Sequence, residues 1–134
     1  MNTTDIIDVI EKLEARINNY WNFYLVAIVA LVGWIISRGV GHVAHEEGLI
    51  LAIGMGLFFF MNLAVLHPVT QRVSVFERQF LLQITQDDNI SSDVSSTLKS
   101  TFIKNRARTT VATHLVMDTL VMLLIICSVY YTPG

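Results

Sequence analysis

His114 and Asp118 interrupt an otherwise apolar run, VATHLVMDTLVMLLIICSVYY, from Val111 to Tyr131. Four residues apart, they share one face of a helix. An imidazole changes charge near neutral pH and a carboxylate attracts cations, so the pair suits an ion or proton pathway. The same two groups also suit a hydrogen-bonded pin that fixes how helices pack. Two further apolar runs carry polar residues at a comparable depth. Asn62 stands about one turn above Leu66, His67 ends that run, and Asn22 and Tyr24 lie at the inner end of the first run. Asn22, Asn62, His67, His114 and Asp118 are therefore expected to meet in the inner half of a bilayer.

A second constellation reads RGVGHVAHEEG from Arg38 to Gly48. Imidazole and carboxylate together suit zinc or another divalent metal, which makes His42, His45 and Glu46 candidate ligands. The order H-x-x-H-E is not the H-E-x-x-H of zinc proteases. Lys104, Arg106 and Arg108 form a third set just below the last apolar run, where basic side chains bind anionic lipid head groups. The sequence has no glycine-rich phosphate loop and no nucleophile elbow. The expectation is a protein that is not an enzyme and takes no cofactor.

The elements that position these residues follow from hydropathy. Of 134 residues, 53% are hydrophobic and 15% charged, against about 25% charged in soluble domains. Such a composition excludes disorder, a single Cys excludes an intrachain disulfide, and a net charge of -2 gives no argument for nucleic acid. About 20 apolar residues cross the ~30 Å hydrocarbon core. Three stretches qualify, at residues 20–38, 49–66 and 110–131, giving an all-α integral membrane protein with three transmembrane helices. Eight of the nine Lys and Arg residues fall before the first span or between the second and third. The positive-inside rule then makes the N-terminus cytoplasmic and the C-terminus external, in a cell membrane of the bacterial inner-membrane type. Tyr20, Trp21 and Tyr24 are expected at the inner interface, and Trp34, Tyr130 and Tyr131 at the outer one.

Outside the spans, residues 3–19 form an amphipathic cytoplasmic helix. Ile6, Ile10, Leu13, Ile17 and Tyr20 recur at spacings of 4, 3, 4 and 3, a heptad seam that wants a partner helix. One helix is expected from Thr4 to Ser37. Residues 67–109 form a cytoplasmic helical hairpin. Val69, Val73, Phe76 and Phe80 continue the spacing, Pro68 is expected to kink or restart the chain, and Asp87-Asp88-Asn89 to turn it. A helix capped by Ser91 or Ser92, with Val94, Leu98 and Phe102 as its stripe, can run into the third span. Residues 39–48 are an external loop and 132–134 an external tail. The whole is a single unit with extended cytoplasmic helices.

Two functions from different classes fit this architecture. One is a small homo-oligomeric channel or pore, conducting cations or protons past Asp118 and His114, because a ring of carboxylates selects cations. The other is a non-catalytic membrane anchor or regulatory subunit that binds a partner protein through its cytoplasmic helices. The implied partners are the lipid bilayer and either further copies of the chain or another membrane protein.

Overall fold

A computed structural model describes residues 3–39, 41–86, 91, 93, 96–97, 100, 102 and 105–130. The fold is all-helical. Three long helices order as α1 (Thr3–Arg38), α2 (His45–Gln86) and α3 (Arg106–Tyr130), with no strand among the described residues. At 1.5 Å per residue they are about 54, 63 and 37 Å long. All three are long and apolar enough to cross a membrane.

Neighbouring helices run antiparallel. Helix α2 packs on both others, whereas α1 and α3 touch over a short stretch. The seam on α1 uses Ile6, Ile10, Leu13, Ile17, Tyr24, Ile28, Leu31 and Ile35. With half-buried Trp21 included, the steps are 4, 3, 4, 4, 3, 4, 3 and 4. Two consecutive steps of 4 relax the heptad toward the 3.6-residue period of a straight helix. The partner seam on α2 uses Phe59, Asn62, Leu66, Val69, Val73, Glu77, Phe80 and Ile84.

The core stacks in three layers along the bundle. Ile6 and Ile10 meet Phe80 and Ile84 at one end, where Phe102 crosses Phe80 edge-on at 6.1 Å. Leu13 and Ile17 meet Leu66, Val69 and Val73 in the middle. Tyr24, Ile28, Leu31 and Ile35 meet Phe59, Val121 and Ile125 at the other end. Around this last layer the bundle is apolar on its outside too. Exposed large side chains run from Phe23 to Ile36, from Leu49 to Val65 and from Leu115 to Tyr130, with Phe60 72% and Ile50 71% exposed. Elsewhere only Ile7, Val75 and Leu82 of the described residues are large, apolar and exposed. Soluble monomers rarely show apolar surface of this extent.

The connections explain where helices stop. Gly39 follows α1 at φ 87°, and its N–H reaches the Ile35 and Ile36 carbonyls, both at 3.1 Å. This is the left-handed cap that glycine adopts without steric cost. Gly41 (φ 86°) donates to the Ser128 carbonyl at 3.0 Å, tying the α1–α2 loop to the end of α3. Arg38 spans the same loop, pairing with Glu47 at 3.2 Å and lying over the Trp34 ring.

One expectation about continuity fails and another is narrowed. Of a kink or a restart at Pro68, the restart does not occur, since α2 is helical on both sides of it. A proline within a helix removes one N–H, its own. Pro68 is exposed, and the Thr70 hydroxyl reaches the nearby Leu66 and His67 carbonyls at 3.0 and 2.7 Å. At the other boundary, no unbroken helix enters α3. Asn105 adopts φ 57°, a conformation asparagine tolerates better than most residues, and Thr109 N–H bonds its carbonyl to open the new helix. The Asp87-Asp88-Asn89 turn, Ser92, Val94, Leu98, Lys104 and Tyr131 lie outside the described residues.

Helices α2 and α3 approach closely at Gly48. A β-carbon there would overlap the Val129 Cγ2 methyl, and a β-branched side chain in a helix has few other rotamers. Gly48→Leu is therefore expected to cost about 2 kcal/mol through overpacking. Adding Val129→Ala should recover most of that loss, as read by thermal unfolding in detergent. An undiminished loss in the double variant would place the strain elsewhere.

Candidate functional site

Four of the polar residues on the helix seams converge where the exposed apolar belt begins. The Tyr24 hydroxyl donates to Asp118 Oδ1 at 2.6 Å. Asn62 Nδ2 donates to His114 Nε2 at 3.4 Å. With Nε2 accepting, the imidazole proton sits on Nδ1, which faces Asp118 Oδ1 at 3.7 Å. That separation is too long for a hydrogen bond, and Nδ1 is a buried side-chain atom without one. His114 and Tyr24 are fully buried, and Asn62 nearly so. Asp118 keeps 15% of its side chain exposed.

Aromatic rings close the cluster. Trp21 lies over the imidazole at 4.8 Å between centroids, and Tyr24 packs on it at 4.3 Å. Trp21 and Tyr24 meet edge-on, and Phe58 stacks on Tyr24 at 6.2 Å. All three helices thus contribute polar atoms to one chamber inside a single chain. A carboxylate already bonded to a tyrosine and a donor pointing at it from 3.7 Å make a compact unit for holding or relaying a proton. The same bonds pin α1, α2 and α3 together.

The chamber includes three of the five residues expected there. Asn22 is exposed. Two residues from Tyr24, it is turned roughly 160° around the helix. His67 is half-buried and its Nε2 pairs with Gln71 Nε2 at 3.3 Å, one turn along its own helix. Five residues from Asn62 it points about 140° away. Tyr24, expected at the inner interface, is fully buried and bonded. Its register shows why, since it lies one heptad beyond Ile17 and one before Leu31 on the α1 seam.

A second polar cluster lies below the first. Arg106 donates through Nη1 to Glu77 Oε1 at 3.0 Å and through Nη2 to Glu14 Oε1 at 2.8 Å. Glu77 is 4% exposed. Burial pushes its carboxyl above the usual glutamate range, Arg106 pulls it down, and Glu14 pushes it up again. The sequence signal for Glu77 was an acid in the α2 seam, four residues after Val73 and three before Phe80. Arg106, expected at lipid head groups, is thus engaged by two carboxylates. Arg108 is exposed.

The loop histidines do not assemble. His42 precedes α2 in a loop shaped by two positive-φ glycines, so it shares no helix face with Glu46. His45 meets the Tyr130 ring edge-on at 5.7 Å. No group of three His, Cys, Asp or Glu suited to a metal occurs among the described residues.

Two cavities flank α2 and α3. A groove of about 1500 Å³ runs down from Leu115 between them, lined by His67, Gln71, Arg78 and Arg108 and, from the connecting segment, by Ser96, Ser100, Phe102 and Asn105 among others. An apolar cleft of about 150 Å³ lies beside Gly48 and Tyr130. No family model matches this chain, and no curated protein or solved structure matches it either.

Proposed function

We propose that this chain is an integral membrane protein of three spans that anchors or regulates a partner protein, without catalysis of its own. The supporting observation is the separation of surfaces along the bundle. Within the apolar belt, Tyr24, Asn62, His114 and Asp118 turn inward and answer one another, while the outside is apolar. A bilayer is the solvent for such a surface, since exposed apolar side chains lose nothing in hydrocarbon. Beyond the belt, α1 and α2 continue together for roughly 25 Å as a packed pair. The distribution of Lys and Arg favours a cytoplasmic stalk. Leu82 and Ile7, exposed near the end of the stalk, offer an apolar contact for a partner.

Isolation from native membranes in mild detergent tests this reading. A stoichiometric second protein is expected with the wild type and is expected to be lost with Ile7→Glu/Leu82→Glu, the fold being retained by circular dichroism. A chain that purifies alone as a stable monomer would contradict it. The second reading, a homo-oligomeric cation or proton channel, is favoured by the exposed edge of the Asp118 side chain. It predicts a symmetric oligomer and a liposome cation leak that Asp118→Asn reduces. A monomer without flux would remove it.

A further inference from the structure

We infer that the groove between α2 and α3 is a binding site for an anionic phospholipid, with its phosphate on Arg108 and its acyl chain along Val111 and Leu115. The inference rests on the membrane reading above. Chemistry changes along the groove in the order a lipid requires. Leu115 and Val111 form its upper end, and Leu115 belongs to the exposed apolar belt. Arg108 lies three residues below Val111, about 4.5 Å along α3. The Asn62–His114 contact sets the register of the antiparallel pair, which brings Arg108 level with residue 68 of α2. His67 and Gln71 therefore line the opposite wall at the same height. Arg78 lies about 15 Å further down.

Among the described residues that line the groove, the balance of charge is positive. Arg78 and Arg108 both line it, and neither belongs to an ion pair among the described residues. Glu77 also lines it, but its carboxylate is matched by Arg106 at 3.0 Å. A guanidinium at the edge of hydrocarbon offers a planar fork of donors that fits phosphate oxygens. About 1500 Å³ exceeds the needs of a lone phosphate ion, and the apolar upper end has no use for one. One molecule that satisfies both ends is an amphiphile with an anionic head.

The test uses the full chain in vesicles of phosphatidylcholine, with and without phosphatidylglycerol. Resistance to alkaline extraction is scored first. Bound lipid is then counted by native mass spectrometry after gentle detergent release. Retained phosphatidylglycerol is expected in preference to phosphatidylcholine. Arg108→Gln should lower that preference about fivefold, the effect of roughly 1 kcal/mol per basic residue. Arg16→Gln, an exposed basic residue outside the groove, should leave it unchanged. Inorganic phosphate should not displace the lipid. An unchanged preference in Arg108→Gln, or displacement by inorganic phosphate, would overturn the inference. If the chain inserts but shows no preference, this inference alone falls. If it does not insert, the membrane reading falls and takes this one with it.

Discussion

Arg106→Ala is expected to destabilise the folded chain by about 3 kcal/mol near neutral pH, because it strands Glu77 as a buried, unpaired carboxylate. The effect should depend on pH with a definite sign. Burial already holds the Glu77 carboxyl above its ordinary value of about 4.5. The folded state thus binds this proton more tightly than the unfolded state. The resulting stabilisation is fully present below the unfolded value and is lost as pH rises through the folded value. Removing Arg106 removes the influence that pulls this carboxyl down, so the folded value climbs further. The deficit of Arg106→Ala should therefore be largest at neutral and alkaline pH and should shrink on acidification. Glu77→Gln in the Arg106→Ala background should restore much of the loss and flatten the profile. Denaturant unfolding in detergent at several pH values measures all of these. A pH-independent deficit would mean that the guanidinium acts through packing alone.

The Tyr24–Asp118 bond is expected to give the second large effect. Tyr24→Phe leaves a carboxylate at the edge of the apolar belt without its donor, and Asp118→Leu leaves a fully buried hydroxyl without its acceptor. Each should cost about 2 kcal/mol, the penalty for an unsatisfied buried group. The double variant should cost less than the sum, with a coupling energy of about 1 kcal/mol. Asp118→Asn retains an acceptor oxygen and should cost less than Asp118→Leu. Additive single losses would show that the two groups do not act on each other. Because Asp118→Asn also reads out cation flux, a stable variant with altered flux separates transport from packing.

Much of this arrangement was legible in the spacing of apolar residues. The 4, 3, 4 pattern from Ile6 to Ile17, and again from Val69 to Phe80, marks the two faces that pack. His114, Asp118 and Asn62 stood out because polar groups in apolar runs need partners. The pattern did not reveal rotation in finer detail. Asn22 and His67 have a suitable depth but the wrong azimuth, which only a fixed helix register decides. Tyr24 has a residue type common at membrane interfaces, and its seam position argues for burial. Glu77 and Arg106 lie 29 residues apart in sequence, and local pattern carries no information about which distant charges will meet. Asn105 likewise reads as an ordinary polar residue until its backbone is seen to break the helix.

The clasp at the loop end of the bundle has a mechanical consequence. Gly41 bonded to Ser128, Arg38 paired with Glu47, and Gly48 seated against Val129 fasten one extremity of all three helices. The bundle is therefore built like tongs, with its pivot at this extremity. Any splaying of α3 from α1 would grow with distance from the pivot, so a small separation at the Tyr24–Asp118 bond would become a wider one at the Arg106–Glu14 pair.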